Sequence, residues 1–479
     1  MTRLDVPQSA CLFALAIRDI TPPVGIYHRM WGAARHDRST GVHRPLRSSV
    51  LVFSDLSGES RRVLVALDHC LLMRPAMERL TAEIVEGCSI RPDELVVTFS
   101  HTHAAGLMDP GREDLPGGEL IAPYLETLSS QVVESINEAL DSQTPVVITY
   151  ATGRCALAAF RDLHDDELGA YVCGFDPSTP ADDTVLTARV TTPDDRTLAT
   201  IVNYACHPTT LAWDNELISP DYPGALRELV EESTGSPCVF LLGASGDLGP
   251  RHGFVGDAEV ADRNGRQLGY AALESTESTP PSGTAYEYDG PVISGATIGT
   301  WSYRKLDEQG VERTRRFDGA SVDIELPYRA DLASIEETRA SLAAHIADEK
   351  AAREAGEEDA ASRARALGER MTRQAARLEQ LPRDDAYPYH ASIWRMGDAI
   401  WVAVEGEPYN LLQTTLRERF AGVPIIVSVL ASGWGPCYLP TTETYGKGIY
   451  QENASIVARG SLETVIDEIG RAIGEMLEP

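Results

Sequence analysis

Two histidines separated by one residue carry the strongest chemical signal in this chain, in Ser100-His101-Thr102-His103. They follow Leu95-Val96-Val97-Thr98-Phe99, an apolar run that reads as a buried strand. Side chains two apart on a strand share a face, so both imidazoles are expected to project together from its carboxyl end. Open α/β sheets place their ligands at such ends. Neutral imidazole is a common zinc ligand, and one ion takes several such groups from different parts of a fold.

Three other residues stand in comparable places. His207 follows the run Leu198–Cys206 and precedes Pro208-Thr209-Thr210. Glu407 lies between Gly406 and Pro408, just after Ile400–Glu405, and the glycine permits close backbone approach. Tyr438 follows the run Ile425–Leu430 and the glycine-rich Ser432–Pro436. Alone, these would be a structural histidine, a surface-turn glutamate and a packing tyrosine. Repeated placement at the end of a strand-like run is what joins His207 to the His101/His103 pair. Asp68-His69 ends Val63–Leu67, and Gly243-Ala244-Ser245-Gly246-Asp247 ends Cys238–Leu242. Small residues in the second segment would let backbone N–H groups face a substrate oxygen. Asp247 would orient a ligand histidine or cap a turn.

The elements that must position these groups alternate. Strand-like runs recur at 11–17, 49–53, 63–67, 95–99, 146–150, 198–205, 238–242, 400–404 and 425–430, with helical patterns at 74–86, 120–140, 224–232, 258–274 and 461–477. Such alternation implies an α/β protein with mixed multi-stranded sheets flanked by helices. Residues 331–381 differ. Leu332, Ile335, Leu342 and Ile346, then Leu367, Met371, Leu378 and Leu381, recur at helical spacing around Gly356. This predicts an inserted helical hairpin, a solvated arm packed on the body or on a second copy, with no chemistry of its own. Residues 276–289 read as a loop dividing an N-terminal part, 1–275, from a C-terminal part, 290–479, that completes the site.

At 479 residues the chain exceeds what one small core organises. Its net charge of −30 argues against nucleic acid and anionic membrane surfaces as partners. No apolar stretch reaches the ~20 residues of a membrane span. The eight cysteines are scattered without a CxxC pair, which excludes a zinc ribbon and suits free thiols in a reducing cytoplasm.

The ordered set Asp19-Ile20-Thr21-Pro22-Pro23, Gly41-Val42-His43, Ser100–His103, Asn203–Pro208, Ser219–Gly224, Gly246-Asp247, Gly406-Glu407 and Tyr438–Tyr445 resembles the neutral/alkaline non-lysosomal ceramidases and their bacterial relatives. The likeness runs from about residue 14 to 455. It implies an amidase with one Zn2+ per chain held by His101, His207, Glu407 and Tyr438. It also implies His103 as a proton-transfer or oxyanion group and Arg161 as a further site residue. Asp68, Asp221 and Asp247 would then support the ligands from behind by fixing histidine tautomers. The chain departs from that family in carrying Gly243 where ceramidases have a serine, and neither their C-terminal β domain nor an export signal is expected of it. The expected substrate is a small or lipid-like amide, N-acyl or cyclic, cleaved by metal-activated water. Ester or lactone hydrolysis would use the same groups. An amidohydrolase-type (β/α)8 barrel, in which an HxH pair ends the first strand, is the rival fold. A catalytically degenerate binding protein is the non-enzymatic alternative. A cytoplasmic location and a homodimer through the 331–381 arm complete the expectations.

Overall fold

The computed structural model describes residues 2–382 and 384–478. Its frame is an eight-stranded sheet: β1 (Gln8–Asp19), β2 (Arg47–Ser54), β3 (Arg61–Leu67), β4 (Leu95–Phe99), β5 (Thr144–Arg154), β6 (Thr184–Thr191), β7 (Thr197–Tyr204) and β8 (Cys238–Leu242). The spatial order is β8-β7-β6-β5-β1-β2-β3-β4, parallel only in the outer pairs β7/β8 and β3/β4. A second sheet of β9 (Phe317–Pro327), β10 (Ala386–Met396), β11 (Ala399–Val404) and β12 (Ile425–Ser428) is antiparallel except for β11/β12.

The strands are apolar on both faces because both faces are covered. Leu51 and Phe53 of β2, Leu64 of β3 and Leu241 of β8 point toward the second sheet, where Trp394, Trp401 and Ile426 meet them. The alternate residues Val50, Val52, Val63 and Val65 join the core under the helices. Those helices are α1 (Arg74–Cys88), α2 (Ile121–Asp141), α3 (Tyr222–Thr234) and α4 (Ala258–Glu277). On the far side of the second sheet the same period-two pattern sends Ile400, Val402 and Val404 into that larger core, which there includes Leu462, Val465 and Ile469 of the C-terminal helix. The result is helix, sheet, sheet, helix. The α/β expectation holds, and the barrel alternative fails because the strands form open mixed sheets.

The large sheet's two edges are tied together. Past β12, the Val429 N–H donates to Leu242 O on β8, and the Ser432 N–H donates to Val97 O on β4. The Ala431 N–H pairs with Val404 O on β11, and Thr98 Oγ1 donates to Val429 O. One short segment thus joins the ends of β4, β8 and β11.

Two readings are corrected. The proposed loop at 276–289 is helix to Glu277 and strand from Thr284, because Thr284–Ile293 pairs with Thr297–Lys305. The hairpin exists, as α5 (Ile335–Glu354) and α6 (Glu358–Glu379) turning at Gly356 with φ 73°; α5 is mostly solvated and α6 packs on the body, but not through the expected apolar stripe. Leu367 and Ile346 of the expected apolar stripe are exposed, while Ala361, Ala364, Gly368 and Ala375 face inward. These small residues let α6 lie close: a Cβ on Gly32 would stand 3.1 Å from the Ala366 backbone.

Candidate metal centre

Three of the four candidate ligands stand just past a strand that has a parallel neighbour. His101 follows β4, His207 follows β7, and Glu407 follows β11. His101 is left-handed, with φ 65°, an unfavourable conformation for a residue with a side chain. Its N–H donates to His69 O at 2.9 Å, which helps hold the turn. The His101/His103 pair therefore leaves the strand before it converges. The turn, rather than strand alternation, brings the two Nε2 atoms 3.3 Å apart. Gly406 has φ 67°, and a Cβ there would fall 2.5 Å from Cys437 O. Its conformation lets Glu407–Pro408 pair in parallel with Tyr438–Leu439, which sets the carboxylate beside the phenol.

The ring nitrogens facing away from the centre are committed. Nδ1 of His101 donates to Cys70 O at 2.7 Å, and Nδ1 of His207 donates to Ser245 O at 2.6 Å. Both Nε2 atoms are thereby left as lone pairs in the neutral rings. They point at one atom, Glu407 Oε2, at 3.2 Å and 2.9 Å. Tyr438 Oη lies 3.4 Å from His207 Nε2. All four side chains are buried.

Two imidazole acceptors and a carboxylate oxygen within 4.8 Å of one another require a positive charge among them. Burial disfavours charge on Glu407, yet His101 and His207 hold its carboxyl well below the usual range. Burial likewise opposes a charged His101, yet Cys70 and Glu407 raise it well above an ordinary imidazole. A nitrogen, nitrogen, oxygen set with a phenol alongside and its outward nitrogens fixed by carbonyls fits a divalent metal ion.

Two charged or titratable groups flank the set. Arg161 follows the short strand Ala158–Phe160, donates to Tyr438 Oη at 3.1 Å and to Gly246 O at 2.6 Å, and lies 5.5 Å from the Tyr438 ring. Burial and Glu407 push the Tyr438 phenol up, and the Arg161 cation opposes them. His103 packs 5.1 Å from the Trp31 ring, and burial together with His101 and His207 holds it neutral.

The model of the neutral/alkaline non-lysosomal ceramidase N-terminal domain matches residues 12–240. Over those residues the chain is similar to that family's N-terminal domain. Among solved structures, neutral ceramidase from Pseudomonas aeruginosa is 15% identical with a TM-score of 0.67, over 99% of this chain and 76% of that one. A ceramidase complexed with C2 is 14% identical with a TM-score of 0.65, over the same shares. No curated protein matches in sequence.

Several residues expected to support this site serve elsewhere. Asp68 forms a buried ion pair with Arg227, with bonds of 2.6 and 3.1 Å. Asp221 caps α3 through the Tyr222 N–H and also accepts from the Leu211 N–H. Asp247 accepts from the Asn410 N–H at 2.7 Å. The hydrogen bonds that set the His101 and His207 tautomers come instead from backbone carbonyls. The Gly243–Asp247 segment offers no row of free donors. The N–H groups of Gly243, Ala244 and Gly246 go to Tyr204 O, Gln413 Oε1 and Pro408 O. Gly243 faces away from the ligands, since a Cβ there would meet Gln413 Oε1 at 2.6 Å.

The wall of the site escaped the sequence reading. A cavity of about 500 Å3 opens over the centre, with α6 along one side. Met30, Trp31, Leu71 and Phe254 supply its apolar surface. Ala366, Glu369, Arg370, Arg373, Gln374 and Arg377 of α6 recur at helical spacing on the cavity face. That periodicity is polar, so an apolar stripe was the wrong signal to follow.

Proposed function

We propose that this protein is a zinc-dependent hydrolase that cleaves the amide bond of an N-acyl, lipid-like substrate. The observation that carries the reading is the convergence of His101 Nε2 and His207 Nε2 on Glu407 Oε2, with both Nδ1 atoms already spent on carbonyls. The likeness of residues 12–240 to the neutral/alkaline ceramidase N-terminal domain supports the reaction class.

His101, His207, Glu407 and Tyr438 would hold the ion. When bound, zinc supplies a Lewis acid for the amide carbonyl and lowers the pKa of a coordinated water toward ~7. His103, neutral and aimed at the same point, is placed to receive a proton from the attacking water and pass it to the departing amine. Arg161 keeps a positive charge against the phenol oxygen and at the cavity wall, where oxyanion charge develops. The apolar surface of the cavity suits an acyl chain, and α6 shields the centre from bulk water. Cleavage of the carbon–nitrogen bond gives a carboxylate and an amine.

The test joins metal analysis to turnover of acyl amides, esters and lactones by the full chain. One equivalent of zinc, with both zinc and amide cleavage lost in His101→Ala and His207→Ala, is the expected result. Full zinc and unchanged activity in either variant would overturn the ligand set. No turnover of any substrate by zinc-replete protein would overturn the reaction.

A further inference from the structure

We propose that the cavity recognises amides carrying an anionic group, a carboxylate or a phosphate, through the arginine row of α6. The inference rests on the hydrolase reading above and names its substrate class. The chain has 42 basic against 72 acidic residues, so arginines without a carboxylate are unexpected. Yet Arg161, Arg370, Arg373 and Arg377 line one cavity. Its wall carboxylates are Glu407, committed to the histidines, and Glu369, shared between Arg112 and Arg373.

The remaining cations are not neutralised. Among the described residues, Arg377 pairs with no carboxylate. It donates to Gln374 Oε1 and Ala454 O, and lies 4.1 Å from the Trp434 ring. Its side chain is 7% exposed and its Nε has no partner. Arg161 is 4% exposed, and its Nε is likewise without a partner. Arg370 is exposed, and its guanidinium stands 6.0 Å from the Tyr450 ring. Positions 370, 373 and 377 share a helix face, so these three groups descend the cavity wall together. A neutral acyl amide offers these guanidinium groups a carbonyl oxygen but no charge to balance theirs. A carboxylate or phosphate accepts the fork of N–H groups directly, and burial strengthens the bond. The apolar wall opposite takes the aliphatic part of the same molecule.

The experiment compares kcat/KM for N-octanoylglycine and N-octanoylphosphoethanolamine with that for neutral N-octanoylethanolamine, in wild type, R370Q and R377Q. A separate readout follows the fluorescence of Trp31 and Trp434 on adding octanoate, octyl phosphate or octanol. The expected result is a preference of at least about tenfold for an anionic amide, reduced at least about fivefold by R370Q. The better of the two anions identifies the group. Equal kcat/KM for charged and neutral amides, with binding equally indifferent to charge, would overturn the inference and leave the hydrolase standing. Charge-selective binding that R370Q weakens, with no amide cleaved, would uphold anion recognition and overturn the hydrolase. Neither turnover nor selective binding would overturn both.

Discussion

Arg112 and Glu369 form a two-bond ion pair, 2.8 Å at each arm, that fastens α6 to the loops beyond β4. Both side chains are largely buried, at 6% and 11% exposed. Removing Arg112 leaves Glu369 with Arg373 as its remaining cation in a poorly solvated place. Arg112→Ala is expected to lower stability by about 1–3 kcal/mol. The double variant with Glu369→Ala should recover part of that loss. Urea denaturation of the three variants measures it, and losses that simply add would show that the two groups act independently.

Tyr438 and His207 should differ in what their loss does. Tyr438→Phe leaves two imidazoles and a carboxylate, so the ion stays but binds at least about tenfold more weakly. His207→Ala removes a central nitrogen, and zinc should not survive purification. Competition with a chromophoric chelator ranks the two. A tighter-binding Tyr438→Phe would remove the phenol from the ligand set.

Gly406→Ala places a methyl group 2.5 Å from Cys437 O at a positive φ. The strain should cost about 1–3 kcal/mol and shift Glu407 away from the imidazoles. The measurable outcome is a lower melting temperature together with weaker zinc binding. Unaltered zinc affinity would mean that Glu407 is placed by something other than this turn.

Acid should unfold the protein in part through His28. The residue is 2% exposed, and burial pushes its imidazole down to about 4. The unfolded chain takes up that proton near ~6.5, whereas the folded chain resists until about 4. The contribution is complete above ~6.5 and disappears as pH falls toward 4, by about 3 kcal/mol at most. Urea midpoints from pH 7 to 4.5 should fall less steeply in His28→Gln than in wild type. Parallel slopes would exclude His28 as the responsible group.

Much of this architecture was legible in the residues. Strands β4 and β8 coincide with their apolar runs because both faces are buried and polar residues bound them. The four proposed ligands and His103 were visible because each follows such a run. Three things were not. The carbonyls of Cys70 and Ser245 that set the histidine tautomers are backbone atoms, which no side-chain pattern reveals, so aspartates were proposed instead. The seat of α6 depends on Gly32 and on alanines, residues too small to give a hydrophobic signal. The hairpin Thr284–Lys305 is a mostly exposed ribbon, so it lacks the apolar run that marks the sheet strands.

The segment 429–432 has one more consequence, for the order of events as the chain folds. His101 and Glu407 are 306 residues apart in sequence, and their meeting requires the two sheets to have joined. No fragment ending before this segment contains the full set of ligands. On the proposed ligand set, ion capture would be a late step that favours the fully joined state over every partly assembled one. Metal content would then serve as a gauge of completed assembly in any variant of this chain.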